Sequence, residues 1–460
     1  MTGRMDFGFT FGVPGAGSPT NARREGPFRI LVLGDFSGHG FRGLVNPKPL
    51  GLRLPQSLDI DNCDAVMQRL APALALDLAG TPSSPLPLSF GSVDDFHPDQ
   101  LLRQLPEPAL TSVAPLAADE STDSTLERLL GRKPEAAVAN AGLEALIQRI
   151  VAPSLAPRID PVVARTKAGR DEARGAQLRS VLHHPAFQSL EAHWRGVQSL
   201  LRSLDLNEDL QLHLLDVSQA EVQADALATL GDAGQSQLVR SLMRPGDAGE
   251  PPSWSLVVGL YAFGPSAADL VVLLTLGALA QRVSGRFMAS AQPAVVGLPS
   301  FDSAADPADW PGMSADEQAR WDAFRRNPQA ATVHLAAPRV LLRLPHGQAT
   351  DPIDAFPFEE MAPGFSHEAC LWGSGALACA QLVGQSFMDK GWAMQLGDQL
   401  DVDDLPAYVL TRDGEKHLLP CAEASLGESA GERLLALGLM PLLSYKNRNA
   451  VRVMGLRAMA

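Results

Sequence analysis

The sequence predicts an α/β fold in which two α/β units are joined by a mobile linker. Apolar runs of strand length recur along the chain, for example 28–33 (FRILVL) and 254–263 (WSLVVGLYAF). Segments with helical periodicity follow them, and strand–helix–strand order at this spacing is typical of a parallel sheet with right-handed crossovers. Between the two groups the composition shifts to Pro, Ala, Ser, Asp and Glu, which is typical of a linker.

The first unit, predicted over residues 27–110, contains two strands and two helices. Their order of strand, helix, strand and helix within a short stretch predicts a small α/β unit. The predicted strands are 28–33 and 86–92, and the predicted helices are 61–74 and 98–105.

Residues 111–139 are predicted to be the linker, and they include one short amphipathic stretch. In 124–132 (STLERLLGR), Leu126, Leu129 and Leu130 share one face at helical spacing. The pattern predicts a short helix inside the linker.

The second unit, predicted over residues 140–460, contains the strongest helical pattern in the chain at 185–204. An unbroken apolar seam runs along this helix, which predicts packing on another helix or on a sheet. The seam consists of Phe187, Leu190, Trp194, Val197, Leu201 and Leu204. We expect Trp194 to be a core anchor rather than a platform for a ligand.

Further elements of the second unit follow from similar patterns. The segment 374–392 is apolar nearly all round, which predicts a buried helix. The other predicted elements are strands at 210–217, 254–263 and 293–298 and a helix at 264–283.

The N-terminal segment, residues 1–26, is predicted to be a strand followed by a flexible leash. Phe7, Phe9 and Phe11 alternate with small residues in 5–13 (MDFGFTFGV), and a period of two is typical of a strand. An isolated aromatic strand is an aggregation hazard, so we expect this strand to join a sheet.

Composition bears on several classes of protein. A net charge of −14 argues against broad nucleic-acid binding, which needs a basic surface. The best candidate for a membrane span, 270–280, has 11 residues, whereas a span needs about 20.

Four widely spaced cysteines without a CxxC motif favour buried thiols in a reducing compartment. With no signal-peptide pattern at the N-terminus, we predict a cytoplasmic protein without membrane insertion.

One local basic patch stands out near the C-terminus. From Arg433 onward the charged residues are all basic, and a solvated face and a docking surface for an acidic partner both fit this pattern. The candidate docking surface comprises Lys446, Arg448, Arg452 and Arg457.

Motifs for catalysis are weak. The glycines of 34–43 (GDFSGHGFRG) satisfy a bare GxGxxG pattern, but the loop lacks the Lys-Ser or Lys-Thr of a phosphate-binding loop. Residues 350–360 (TDPIDAFPFEE) are acidic but have no EF-hand spacing, so we expect an acidic surface loop. The ionisable residues do not form an acid–base–nucleophile set, and we predict no catalytic residues, no cofactor and no metal.

Several stretches resemble the two subunits of the type VI secretion contractile sheath. PFRILVLGDFSG, DNCDAVMQRLAPAL and LSFGSVDDFHPDQLLRQLP resemble the small subunit (TssB-like). LHHPAFQSLEAHWRGVQSLL, PRVLLRLPHG, TDPIDAFPFEE, LWGSGALACAQLVGQSF and LPCAEA…GLMPLLS resemble the large subunit (TssC-like), in that order. Together they cover roughly 5–110 and 140–450, so the chain resembles a natural fusion of the two subunits.

The resemblance implies a structural role without an active site. In the family, paired subunits polymerise as a helical sheath around a tube, and contraction drives the tube and its effectors into a neighbouring cell. The implied partners are copies of the chain or other sheath subunits, the tube protein, the baseplate and an AAA+ unfoldase. The unfoldase would recognise the helix that carries Leu126, Leu129 and Leu130, although a plain linker helix also fits. The strand at 5–13 matches the family's exchanged N-terminal strand, which completes a neighbour's sheet.

One departure leaves the function open at this point. The family's large subunit normally continues beyond GLMPLLS into a further C-terminal domain, which we expect this chain to lack. The chain is therefore either a polymerising sheath component or a sheath-like accessory protein, such as a cap, an assembly factor or a regulator. A nucleotide-binding α/β enzyme that uses the loop 34–43 is a third alternative.

Overall fold

A computed structural model describes residues 26–44, 48–78, 85–107, 161–229, 232–245, 252–303, 306–412 and 415–460. The helices are α1 (Cys63–Leu70), α2 (Pro98–Gln104), α3 (Pro161–Leu182), α4 (Pro185–Ser203), α5 (Gln219–Ala228), α6 (Gln237–Leu242), α7 (Ala267–Arg282), α8 (Ala315–Arg325), α9 (Gly375–Lys390) and α10 (Glu428–Ala436). The strands are β1 (Phe28–Gly34), β2 (Gln56–Leu58), β3 (Ala73–Leu76), β4 (Leu86–Ser89), β5 (Leu210–Asp216), β6 (Leu256–Phe263), β7 (Arg286–Ala291), β8 (Val333–Ala337), β9 (Val340–Leu341), β10 (Trp372–Gly373), β11 (Asp401–Val402), β12 (Val409–Arg412), β13 (Glu415–Leu418), β14 (Leu439–Ser444) and β15 (Val451–Val453).

A nine-stranded sheet with the order β11-β15-β14-β8-β7-β6-β1-β5-β2 organises the fold. Its six inner strands, from β14 to β5, are parallel, while β2, β15 and β11 pair antiparallel at the two sides. The predicted α/β class is confirmed. The two predicted units do not have separate main sheets, however, because β1 of the first unit lies between β5 and β6 of the second.

Strand β1 occupies the interior of the sheet because its residues are apolar on both faces. Ile30 and Val32 belong to the core on one side, and Leu31 and Leu33 belong to the core on the other side. All four side chains are fully buried. A continuous apolar run of this kind is typical of a parallel strand covered on both faces, and it explains why this short segment sits deep in the fold.

Helix α4 carries the apolar seam, whose six residues are all buried. The helix packs closely on α9, because a Cβ atom on Gly196 of α4 would overlap the side chain of Leu377 in α9. On the same pair of helices, a Cβ atom on Gly384 would lie 2.7 Å from Cδ2 of Leu204. Small residues at these two positions therefore allow the close approach of the two helices.

Two predicted elements differ from the structure. The segment 293–298, predicted as a strand, begins with a 3-10 helix at Pro293–Val296, and the strand is the preceding, less apolar β7. Pro293 has no backbone N–H to donate to a hydrogen bond of the sheet. Strand β7 contains Ala and Ser, and it is buried because of its position in the sheet. The helix predicted to reach residue 74 ends at Leu70, because Ala71 adopts a left-handed backbone with φ of 47° and precedes a proline.

The described ranges contain no helix with the length and apolar character that a membrane crossing requires. The apolar stretch 270–280 forms part of α7, which packs into the core beside the sheet. Its hydrophobicity is therefore accounted for by burial within the fold.

Candidate functional site: the junction between the two segments

The junction is the contact between the described parts of a first segment, 26–107, and a second segment, 161–460. Its polar centre lies where β1 and β5 end, since the carboxyl ends of neighbouring parallel strands share one edge of a sheet. Asp216 at the end of β5 accepts hydrogen bonds from the backbone N–H groups of Phe36 (2.9 Å) and Ser37 (3.0 Å). The Ser37 hydroxyl donates to the second carboxylate oxygen at 2.8 Å. One carboxylate of the second segment thus fixes the turn that follows β1.

His39 is enclosed by carboxylates from both segments. Its Nε2 lies 2.7 Å from Oε2 of Glu221, and its Nδ1 lies 3.1 Å from Oδ1 of Asp35. Burial alone lowers the pKa of His39, but hydrogen bonds to Asp216, Asp35 and Glu221 outweigh it and raise the pKa to about 11. The imidazole is therefore a cation at neutral pH. Asp35, His39 and Asp216 are also spaced like metal ligands, but Asp216 is already engaged by the N–H groups of Phe36 and Ser37 and by the Ser37 hydroxyl.

Arg53 supplies the second cation of this polar centre. Its Nη1 donates to the backbone carbonyl of Asp216 at 3.0 Å, and its Nη2 lies 2.5 Å from Oε1 of Glu221. Burial raises the pKa of Glu221, but hydrogen bonds from His39 and Arg53 outweigh it and hold the pKa well below its usual range. Two cations of the first segment thus face carboxylates of the second. Separating the segments would leave these charges without their partners, which is costly for buried groups.

Aromatic side chains form the apolar part of the junction. Trp194 of α4 donates its indole N–H to the backbone carbonyl of Phe36 at 3.0 Å, and the two rings meet edge to face at 5.3 Å. Phe90 and Phe96 stack at 4.4 Å, and Phe187 of α4 meets both of them edge-on. The apolar seam of α4 therefore packs directly against the first segment.

A second buried charge network lies within the second segment. Arg343 bridges Glu191 of α4 and Glu360, with Nε and Nη1 each 2.8 Å from a carboxylate oxygen. Arg195 also binds Glu191, at 2.6 Å. Burial raises the pKa of Glu191, but the neighbouring guanidinium groups of Arg343 and Arg195 outweigh it and lower the pKa. The expectation of an acidic surface loop at 350–360 is wrong for Glu360, whose side chain is fully buried.

In the glycine-containing loop 34–43, backbone N–H groups that could bind a phosphate already bind carboxylates of the chain itself. The backbone N–H groups of Phe36 and Ser37 bind Asp216, and that of Gly40 binds the Asp35 carboxylate at 2.9 Å. A phosphate would have to displace these carboxylates. The loop thus helps to join the two segments. The polar residues that follow β1 were the sequence signal from which this role could have been predicted.

The candidate basic docking surface is partly neutralised by acidic neighbours. Arg448 pairs with Asp403 at 2.5 Å, and Arg452 pairs with Asp401 at 3.2 Å. Lys446 is exposed. The remaining member, Arg457, donates to the backbone carbonyl of Leu435. Docking of an acidic partner here stays a prediction.

Two sets of predicted site residues lie outside the described ranges. These are the aromatic strand residues Phe7, Phe9 and Phe11 and the linker leucines Leu126, Leu129 and Leu130. Their roles stay predictions.

The geometry defines an α/β protein in which two separate stretches of chain build one sheet and share buried ion pairs. Comparison with known families matches each stretch to a different component of the same apparatus. The type VI secretion system VipA family matches residues 17–114, and VipB, the EvpB tail sheath N-terminal domain, matches residues 168–459. The chain belongs to the type VI secretion tail sheath family, as a fusion of a TssB-like and a TssC-like part.

A curated relative agrees with this assignment. The type VI secretion system sheath protein TssC1 of Pseudomonas aeruginosa is 29% identical over 300 residues. The alignment covers 64% of this chain and 60% of the relative. The chain thus spans less than two thirds of the length of this relative.

Proposed function

We propose that this chain is a structural building block of a contractile sheath, in which one polypeptide supplies both halves of the sheath unit. The observation that carries the proposal is the position of β1, which comes from the VipA-like part and lies between two strands of the VipB-like part. The chain would polymerise around a tube in the cytoplasm, and contraction would drive effector delivery. Copies of the chain or other sheath subunits, the tube protein, a baseplate and an AAA+ unfoldase are its proposed partners.

Fusion has a physical advantage for such an assembly. A covalent tether holds two binding partners at an effective concentration of roughly millimolar, and it fixes their ratio at one to one. The junction buries His39 and Arg53 against Asp216 and Glu221, so we expect the two halves to assemble before the chain polymerises. The fusion makes this first step intramolecular.

Assembly is expected to depend on the N-terminal strand. We predict that deleting residues 1–13 leaves the thermal unfolding of the monomer unchanged and abolishes sedimenting polymers, because the strand would pair with a neighbour's sheet. Sedimentation and negative-stain electron microscopy of the full chain and the truncated chain measure this. A triple change of Phe7, Phe9 and Phe11 to serine should reproduce the loss, whereas Thr10→Ser, at an intervening position, should not.

Three results would contradict or redirect this proposal. A truncated chain that unfolds would show that the strand belongs to its own core. If the full chain stays monomeric and binds neither sheath nor tube proteins, the proposed function in a sheath would be wrong. Localisation at one end of a sheath, without polymers of the chain itself, would identify the accessory alternative of a cap, an assembly factor or a regulator.

A further inference from the structure

Three side chains that can ligate metals meet where the two segments touch, away from the strand ends that hold His39. His97 of the first segment faces His346 and Asp351 of the second, and one ligating atom of each lies within 4.8 Å of the others. Nδ1 of His346 is 3.0 Å from Oδ2 of Asp351, and Nε2 of His97 is 3.8 Å from Oδ1. Two ligands on a tetrahedral Zn²⁺ are about 3.3 Å apart, given bonds of about 2.0–2.1 Å. The observed separations lie on either side of this value.

His346 provides an independent reason to expect a ligand. The residue is 1% exposed. Its Nδ1 lies beside the Asp351 carboxylate without hydrogen-bond geometry, and within the described ranges its Nε2 has no hydrogen-bond partner. Buried polar atoms that lack hydrogen bonds are uncommon and call for a physical explanation.

The surroundings of His97 offer a carboxylate that could orient the ring. Its Nδ1 accepts a long hydrogen bond of 3.3 Å from the backbone N–H of Asp99, and the Asp99 carboxylate lies 3.6 Å from the same nitrogen. Coordination through Nε2 would place the proton on Nδ1, so the long bond from the Asp99 N–H would be exchanged for donation from Nδ1 to the Asp99 carboxylate. A carboxylate behind a ligating histidine is a recurrent arrangement that orients the ring. The Asp99 carboxylate is itself held by the backbone N–H of Asp354 at 3.0 Å.

We propose that His97, His346 and Asp351 form a site for a divalent transition metal of the Zn²⁺ type. Two imidazoles and one carboxylate suit Zn²⁺ better than Mg²⁺ or Ca²⁺, which prefer oxygen ligands. The Asp351 side chain is 53% exposed, so a fourth position is open to water and the metal can enter from solvent. Because the ligands come from both segments, the metal binds only the assembled fold and joins the VipA-like part to the VipB-like part.

Titration of the chelator-treated full chain with ZnCl₂ in a calorimeter tests the site. We expect saturable binding of one Zn²⁺ per chain and a higher unfolding temperature with the metal. Asp351→Asn and His97→Gln should each weaken binding tenfold or more. Asp351 is exposed, so its replacement leaves the core intact. Glu432→Gln, which removes an exposed carboxylate of α10 outside this cluster, should leave the affinity unchanged.

Two results would overturn the proposal. One is the absence of saturable Zn²⁺ binding to the folded full chain. The other is binding of equal affinity to the Asp351→Asn and His97→Gln variants, which would place the metal elsewhere. Substituting Co²⁺ for Zn²⁺ adds a second readout, because a tetrahedral site with nitrogen ligands absorbs visible light far more strongly than the octahedral aqua ion does.

Discussion

Replacing Arg343 by alanine is expected to lower the free energy of unfolding by about 3–5 kcal/mol. The guanidinium lies between the fully buried carboxylates of Glu191 and Glu360. Arg195 still pairs with Glu191 after the change, but Glu360 loses its close guanidinium partner. The large cost comes from the charge left behind, because an uncompensated buried carboxylate has lost its hydration without a replacement. Urea unfolding followed by circular dichroism measures the change.

Arg448 provides the matched control for this experiment. It also pairs with a carboxylate, that of Asp403, but the two side chains are 51% and 50% exposed. Exposed pairs contribute about 0–1 kcal/mol, so Arg448→Ala should change stability by no more than that. If Arg343→Ala and Arg448→Ala had the same free energy of unfolding, the buried network would contribute no more to stability than an exposed ion pair. That result would contradict the prediction.

Replacing Trp194 by alanine is expected to cost about 3–5 kcal/mol. The indole is fully buried, packs edge to face on Phe36 of the first segment and donates to its backbone carbonyl. The substitution therefore opens a cavity at the junction and removes a hydrogen bond between the two segments. Chemical unfolding of the full chain measures the loss.

The Trp194→Phe variant separates packing from hydrogen bonding. Phenylalanine keeps most of the buried ring but cannot donate to the carbonyl of Phe36, and an unsatisfied buried acceptor costs about 1–3 kcal/mol. We expect a loss smaller than that of Trp194→Ala. An alanine variant as stable as the parent chain would show that α4 does not anchor the first segment.

Local patterns predicted part of this fold, namely elements whose patterns are strong, such as β1, β5, β6, α4, α7 and α9. Short or less apolar strands, for example β2, β7 and β8, were not predicted. The continuous apolar run of β1 and the apolar seam of α4 each indicate from the sequence alone that the element is buried. The order of strands in the sheet was not accessible in the same way. Nothing local in residues 28–34 specifies that they pair with 210–216 on one side and 256–263 on the other, because such pairing depends on contacts distant in sequence.

Buried polar networks were the main feature that sequence patterns could not supply. Glu360 stands in a run of acidic residues and was expected at the surface, yet Arg343 holds it in the core. His39 was seen only as part of a glycine-containing loop, because its partners Asp216 and Glu221 are far away in sequence. Each of these residues gains its role from a partner brought close by the shared sheet.

The central claim is that the VipA-like and VipB-like parts form one cooperative unit through the shared sheet. Native-state hydrogen exchange with increasing denaturant tests it on the full chain, since amides that exchange by global unfolding report the same free energy. The account predicts that the amides of Leu31 and Val32 in β1 share the opening free energy of Val257 and Val258 in β6. A lower opening free energy for β1 alone would show that the two parts unfold independently, and it would contradict the account.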